Sequence, residues 1–212
     1  MMRVRPSFEE ERKLWNNGIN YVIGIDEVGR GAFAGPIVAA GVVYKENFKY
    51  PFLRQVRDSK LLNAKQREEL SILIKEYSQN FEIQTIEVDY INKHGIGRAN
   101  IAVFRKVLKR LISKFEGHDF YVLIDGFHGR YLPGGIKKQK AIVKGDMKSL
   151  SIASASIIAK VYRDQLMREA SIEYPIYGFE QNKGYGTQFH RDAIKNFGLC
   201  EIHRTSFNLS GI

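Results

Sequence analysis

Tyr21-Val22-Ile23-Gly24-Ile25-Asp26-Glu27-Val28-Gly29-Arg30-Gly31 decides how the rest of the chain is read. An apolar, β-branched run that closes on two acids and a glycine turn reads as a buried strand, over 20–25, delivering carboxylates to a site. Adjacent acids cost repulsion and desolvation unless a cation joins them. The 212-residue chain has a formal net charge of +10, so that cation is a metal ion, a neighbouring Lys or Arg, or both. Successive residues of an ideal strand face opposite sides. Glu27 therefore reaches the site of Asp26 only if the strand is ending, which Gly29 and Gly31 make plausible.

Working outward, 36–44 reads as a strand paired with the first across the glycine turn. Residues 63–79 read as a helix with Asn63 as cap and Gln66 at capping-box spacing. An alternating strand follows at 81–88. An amphipathic helix over 96–115 carries Ile96, Val103, Val107, Leu111 and Phe115 on one face. Phe120–Ile124 is a further apolar run ending in Asp125-Gly126, and 139–144 leads to Gly145-Asp146. A helix is expected from Leu150 to Glu169, where Ala153, Ser154, Ala155 and Ser156 permit close packing. A short last helix is capped by Thr187 and stopped by Gly198. This order predicts an α/β fold around a mixed sheet flanked by helices.

Acids thus stand at several strand ends: Asp26 with Glu27, Asp125 and Asp146. Strand ends that face a crevice are where open α/β sheets bind ligands. If 20–25 and 120–124 are neighbours, Asp26 and Asp125 meet. An all-oxygen cluster favours a hard cation, Mg²⁺ or Mn²⁺. Two such ions about 3.5–4 Å apart clamp the attacking and leaving oxygens of a phosphodiester. The stretch Gly29–Gly35 is one residue too long for a dinucleotide loop, and the acid pair before it would repel a pyrophosphate. Asp164, four residues after Lys160, reads first as an intrahelical partner. Tyr185, between two glycines on a flexible, exposed loop, is either a lid over the core or a ring that stacks on a sugar or base. His190 and His203 are given no role.

The pI near 9.6 suits a polyanion-binding surface, and Lys137, Lys138, Lys140, Lys144 and Lys148 form an expected basic rim beside Asp146. The lone Cys200 rules out an intramolecular disulfide and a Cys-based zinc cage. No apolar run approaches about 18 residues and the first residues are charged, so a soluble, cytoplasmic protein without membrane span or signal peptide is expected.

The chain resembles the bacterial ribonuclease HII (type 2 ribonuclease H) family. The resemblance is carried by Gly24-Ile25-Asp26-Glu27-Val28-Gly29-Arg30-Gly31 with Gly35-Pro36, Asp58-Ser59-Lys60, Asp125-Gly126 and Lys144-Gly145-Asp146. Further on come Ala155-Ser156-Ile157-Ile158-Ala159-Lys160-Val161 with Arg163-Asp164, and Lys183-Gly184-Tyr185-Gly186-Thr187. These pieces run in the family's order over residues 20–207. The resemblance implies a ribonuclease H-like fold in a single catalytic domain, core at 20–170, with a helical extension at 171–212 bearing the Tyr185 loop. It implies Mn²⁺- or Mg²⁺-dependent endonucleolytic cleavage of RNA in RNA–DNA hybrids. It also implies incision 5′ of single ribonucleotides in duplex DNA, leaving a 3′-hydroxyl and a 5′-phosphate. Asp26, Glu27, Asp125 and Asp146 look like the catalytic, metal-binding acids, with Asp164 held as the alternative fourth. Gly29, Arg30 and Gly31 look like the loop that senses the ribose 2′-hydroxyl, and Tyr185 like the ring that packs on the junction sugar. A monomer is expected, with nucleic acid as partner; Phe207–Ile212 shows no clear clamp-binding motif. The rival readings are another ribonuclease H-like nuclease or recombinase, and a non-enzymatic nucleic-acid-binding domain.

Overall fold

The computed structural model describes residues 5–46, 48–115, 117–127, 129 and 131–209. Five strands form one sheet: β1 (Tyr21–Val28), β2 (Ile37–Val43), β3 (Asn80–Ile86), β4 (Phe120–Asp125) and β5 (Gln139–Ile142), in the order β3-β2-β1-β4-β5. β1, β4 and β5 are parallel, whereas β2 runs antiparallel to β1 and β3. The sheet is therefore mixed, as expected, and the runs ending in Asp26 and Asp125 are indeed neighbours.

Seven α-helices accompany the sheet among the described residues: α1 (Glu9–Trp15), α2 (Ala64–Tyr77), α3 (Val88–His94), α4 (Ile96–Ile112), α5 (Leu150–Glu173), α6 (Phe179–Asn182) and α7 (Gln188–Phe197). On one face, Val103, Phe104, Val107 and Leu111 of α4 pack against Ile23, Ile25 and Ile37. On the other, α2 and α5 cover Val38, Ala40 and Val42 with Leu70, Ile74, Ala153 and Ile158. α5 lies directly on β1 because residue 24 is glycine: a Cβ there would stand 2.2 Å from the Ser151 carbonyl carbon. The small residues at 153–156 complete that close approach, all of them buried.

Several expectations need correction. β1 does not end at residue 25; its ladder with β2 runs on to Val28↔Val38. Its ladder with β4 stops at Ile25↔Ile124. Beyond that point β1 has a neighbour on one side only, which opens the space beside Asp26 and Glu27. The helix expected to reach 115 stops at Ile112, and the one expected to stop at 169 runs on to Glu173. The strand expected over 139–144 is trimmed to Gln139–Ile142. α1, α3 and α6 were not foreseen. α1 is fixed by a buried acid: Glu11 accepts from the Ser149 and Ser151 hydroxyls, each at 2.6 Å, and from the Ser151 backbone N–H at 2.9 Å. The capping box of α2 is formed as read, with Asn63 and Gln66 exchanging hydrogen bonds.

The basic rim is also partly spent. Lys138 pairs with Asp119 and Lys140 with Glu10. No helix among the described residues is long and apolar enough to cross a membrane. Ser210–Ile212, part of the C-terminal segment read above, lie outside the described residues.

Candidate active site

A cavity of about 500 Å³ opens where β1 outruns β4. It is lined by Asp26, Glu27, Asp125 and Asp146, by Gly29-Arg30-Gly31, by Ser59, Lys60, Ser156 and Lys160, and by Tyr185. Every site residue expected from the sequence meets there. Strand alternation still holds. Asp26 turns towards α5, where the Ser156 hydroxyl stands beside it, and Glu27 turns towards Asn100 of α4. Both reach the cavity because β4 no longer pairs with β1 at that level.

Asp26 is buried, and its Oδ1 accepts the Glu27 backbone N–H at 2.8 Å. Asp125, at the end of β4, accepts the Gly145 N–H at 2.6 Å and so ties the turn bearing Asp146 to the strand end. Burial, then the charges of Glu27 and Asp125, hold the Asp26 carboxyl well above the usual carboxylate range. Burial raises Glu27 to about 7 against the opposing Arg30 charge, with Asp125 adding repulsion. Burial, then Asp125 and Asp58, raise Asp146.

Asp164 is placed differently. It is buried but does not line the cavity; it pairs with Lys160 at 2.6 Å and with Arg67 at 3.8 Å. The first reading of its spacing, an intrahelical partner, matches that geometry.

The donor set is that of a hard divalent cation: carboxylate oxygens sharing one cavity. Among the described residues, no three His, Cys, Asp or Glu side chains are drawn close enough to hold an ion as they stand. Like charges keep one another apart, and a cation between them reverses that force. Chemistry and shared cavity fit the group.

The loops around the acids are fastened by two buried arginines that have carbonyl partners in place of carboxylates. Arg163 donates to the carbonyls of Pro36 (2.9 Å), Lys183 (2.8 Å) and Ala34 (3.0 Å). Arg204 donates to Gly35 (2.8 and 3.0 Å) and to Arg30 (3.0 Å). Burial lowers the proton affinity of both. Tyr185 is accordingly half-buried on a pinned loop, not on the flexible, exposed one expected. Phe33 and Ala34 donate to the Gly184 carbonyl at 2.8 and 3.2 Å, and the Tyr185 ring faces Arg163 at 5.4 Å and Lys160 at 5.9 Å.

Sequence reading missed Arg204, His190 and His203, all fully buried. Arg204 reaches a partner 174 positions away, and no local periodicity marks the two histidines. Two cations of the cavity wall, Lys60 and Lys160, were likewise given no role at the site.

Comparison with known proteins agrees with this geometry. The family model described as Ribonuclease HII matches residues 23–210. A protein named Ribonuclease HII from Clostridium botulinum (strain Loch Maree / Type A3) is 45% identical over 210 residues, covering 94% of this chain and 76% of the relative. The crystal structure of the ribonuclease H2 from Pyrococcus horikoshii OT3 superposes with a TM-score of 0.71 at 23% identity, over 90% of this chain and 95% of that one. Bst-RNase HIII in complex with Mn²⁺ superposes with a TM-score of 0.67 at 20% identity, over 90% and 68%. The two structural likenesses show the ribonuclease H-like fold. The match over residues 23–210 shows more: the chain belongs to the ribonuclease HII family, endonucleases that cleave the RNA strand of RNA–DNA hybrids.

Proposed function

We propose that this enzyme also incises duplex DNA on the 5′ side of a single embedded ribonucleotide, leaving a 3′-hydroxyl and a 5′-phosphate. The observation that carries the reading is Gly31. Its φ lies outside the left-handed region, and a Cβ there would meet nothing within 4 Å. The fold itself does not need glycine at this exposed position beside the acids. A ligand that must approach the backbone does, and the ribose 2′-hydroxyl is the group that separates RNA from DNA at one nucleotide.

In this reading Asp26, Glu27, Asp125 and Asp146 hold two divalent ions, Mn²⁺ or Mg²⁺, which when bound supply water activation and neutralise charge on the scissile phosphate. Lys60 and Lys160, on the cavity wall, attract and orient that phosphate. Backbone groups of Gly29-Arg30-Gly31 read the 2′-hydroxyl. The Tyr185 ring packs on the sugar and excludes water from one side of it. Water attacks phosphorus in line, the P–O3′ bond breaks, and the departing 3′-oxygen takes up a proton. The Mn²⁺ bound by the ribonuclease HIII neighbour supports the choice of ion. The same reading has the chain working as one monomeric, cytoplasmic catalytic unit, with a core at 20–170 and an extension at 171–212.

The test is a set of otherwise identical duplexes in which one nucleotide carries a 2′-hydroxyl, a 2′-hydrogen or a 2′-O-methyl group. Incision confined to the 2′-hydroxyl duplex is expected. Comparable cutting of the all-DNA duplex would instead favour a nuclease or recombinase of the same fold.

A further inference from the structure

His190 of α7 and His203 of the following loop are both fully buried and touch, Nε2 to Nε2, at 3.0 Å. Two imidazoles in that arrangement need one proton between them, and the ends of the chain decide where it sits. At one end the Cys200 backbone N–H, which can only donate, meets His203 Nδ1 at 2.8 Å. His203 Nδ1 is therefore a lone-pair acceptor, and the ring proton is on Nε2. The Cys200 Sγ, at 3.1 Å from the same Nδ1, is a weak partner that can itself donate S–H to that lone pair, and the Cys200 carbonyl at 3.3 Å already accepts the His203 backbone N–H at 3.0 Å. At the other end the Tyr185 carbonyl, which can only accept, meets His190 Nδ1 at 3.0 Å. His190 must carry its proton on Nδ1 and present a bare Nε2 to His203. Both ends demand the same polarity: Cys200 N–H to His203, His203 N–H to His190, His190 N–H to the Tyr185 carbonyl.

The surroundings keep the pair neutral. Tyr177 and Phe179 stand against the two rings, with Tyr177 4.8 Å from His203 and Phe179 5.3 Å from His190, both edge-on. A further proton on either ring would set two N–H groups against each other. The pair ends on the backbone of Tyr185, the ring assigned above to the sugar.

We infer that His190 and His203 are a positioning pair for Tyr185, whose one-way hydrogen-bond chain sets the carbonyl of that residue and hence the placement of its ring over the cavity. The inference rests on the proposed incision at single ribonucleotides for its functional consequence, but its physical content can be read separately.

Two measurements test it. In ¹⁵N-histidine NMR of the wild-type protein near neutral pH, His203 is expected as the neutral Nε2–H tautomer and His190 as the neutral Nδ1–H tautomer. The reverse tautomer in either ring, or a charged ring, overturns the chain. For function, His190→Asn places an amide N–H near the Nδ1 position and keeps the donation to Tyr185. His190→Gln reaches the Nε2 position and leaves that carbonyl with the Thr187 backbone N–H, at 2.8 Å, but without its side-chain donor. Single-ribonucleotide incision is expected to fall about tenfold more in the Gln variant than in the Asn variant, the size of one lost hydrogen bond. The difference should vanish when both are built on Tyr185→Ala, because the ring they position is gone. Equal losses in Asn and Gln variants, no loss in either, or a difference that persists without the ring would each reduce the pair to packing. Should neither variant fold, the wild-type tautomers still decide the chain. Wild-type enzyme that cuts hybrids but ignores single ribonucleotides would refute the incision reading and leave the tautomer result standing.

Discussion

Gly29 and Gly31 flank Arg30, yet the structure gives the same substitution opposite consequences at the two. At Gly31 an alanine Cβ enters open space on a backbone that any residue adopts. Gly→Ala at such a position leaves stability unchanged or raises it by about 0.4–1 kcal/mol, through the unfolded chain. At Gly29 the φ is +93°, and the Cβ would sit 2.1 Å from Arg163 Nε. The left-handed backbone alone costs about 1–2 kcal/mol. Moving Arg163 breaks its bonds to the carbonyls of Pro36, Lys183 and Ala34 and leaves a buried guanidinium short of partners. Removing the partners of a buried charge costs about 3–5 kcal/mol, a large share of the roughly 5–15 kcal/mol that holds a domain together.

Gly29→Ala should therefore show up in denaturant unfolding, whereas Gly31→Ala should not. In single-turnover incision of a one-ribonucleotide duplex the Gly31 variant should lose about 10²-fold, the penalty for misplacing a reacting group by about 1 Å. A Gly31→Ala enzyme with wild-type stability and wild-type incision would refute the claim that this glycine serves the ligand.

Asp26→Asn removes the buried member of a mutually repelling carboxylate cluster. We expect unchanged or higher stability in metal-free buffer, with incision down by about 10²–10³-fold; retained activity would remove Asp26 from the metal-binding set. Tyr185→Ala should weaken single-ribonucleotide incision by one to two orders of magnitude, given about 1–3 kcal/mol for a ring stacked on a nucleotide. Unchanged turnover would make the ring a lid only. Glu27, with an ordinary value of 4.5 and a folded value of about 7, binds more protons folded than unfolded between those limits. It therefore favours folding at low pH, and that contribution is lost as pH rises through 7. Glu27→Gln should accordingly gain on wild type in metal-free unfolding from pH 4.5 to 7, by up to about 1.4 kcal/mol per pH unit. A difference independent of pH would contradict the assigned shift.

The strands that bring Asp26 and Asp125 together were legible because apolar runs ending in an acid and a turn are local signals. The helices over 64–77 and 96–112 were legible from their period and, for the first, from Asn63 and Gln66. The reach of β1 to Val28 was not, since it depends on β2 pairing past the point where β4 stops. The pinning of Tyr185 was equally hidden. Two glycines beside a tyrosine suggest freedom, yet Gly184 lies against Ala34, where a Cβ would stand 2.4 Å from its carbonyl oxygen. The roles of Arg163 and Arg204 arise from contacts between distant segments, and that of the histidine pair from a turn that no hydrophobic period announces. Lys138 and Lys140 were misjudged because counting positive charges along a sequence does not reveal Asp119 and Glu10 beside them.

Together, the carboxylate cluster and the glycine loop are proposed to make incision depend on both the 2′-hydroxyl and a metal ion, and this joint dependence can be put to one experiment. It is tested most directly by mapping the cut in an end-labelled DNA duplex bearing one ribonucleotide, with Mn²⁺, with Mg²⁺ and with a chelator. A single cut immediately 5′ of the ribonucleotide is expected, with a 3′-hydroxyl and a 5′-phosphate, in either metal and none in chelator. A cut on the 3′ side, or cleavage that survives the chelator, would contradict it.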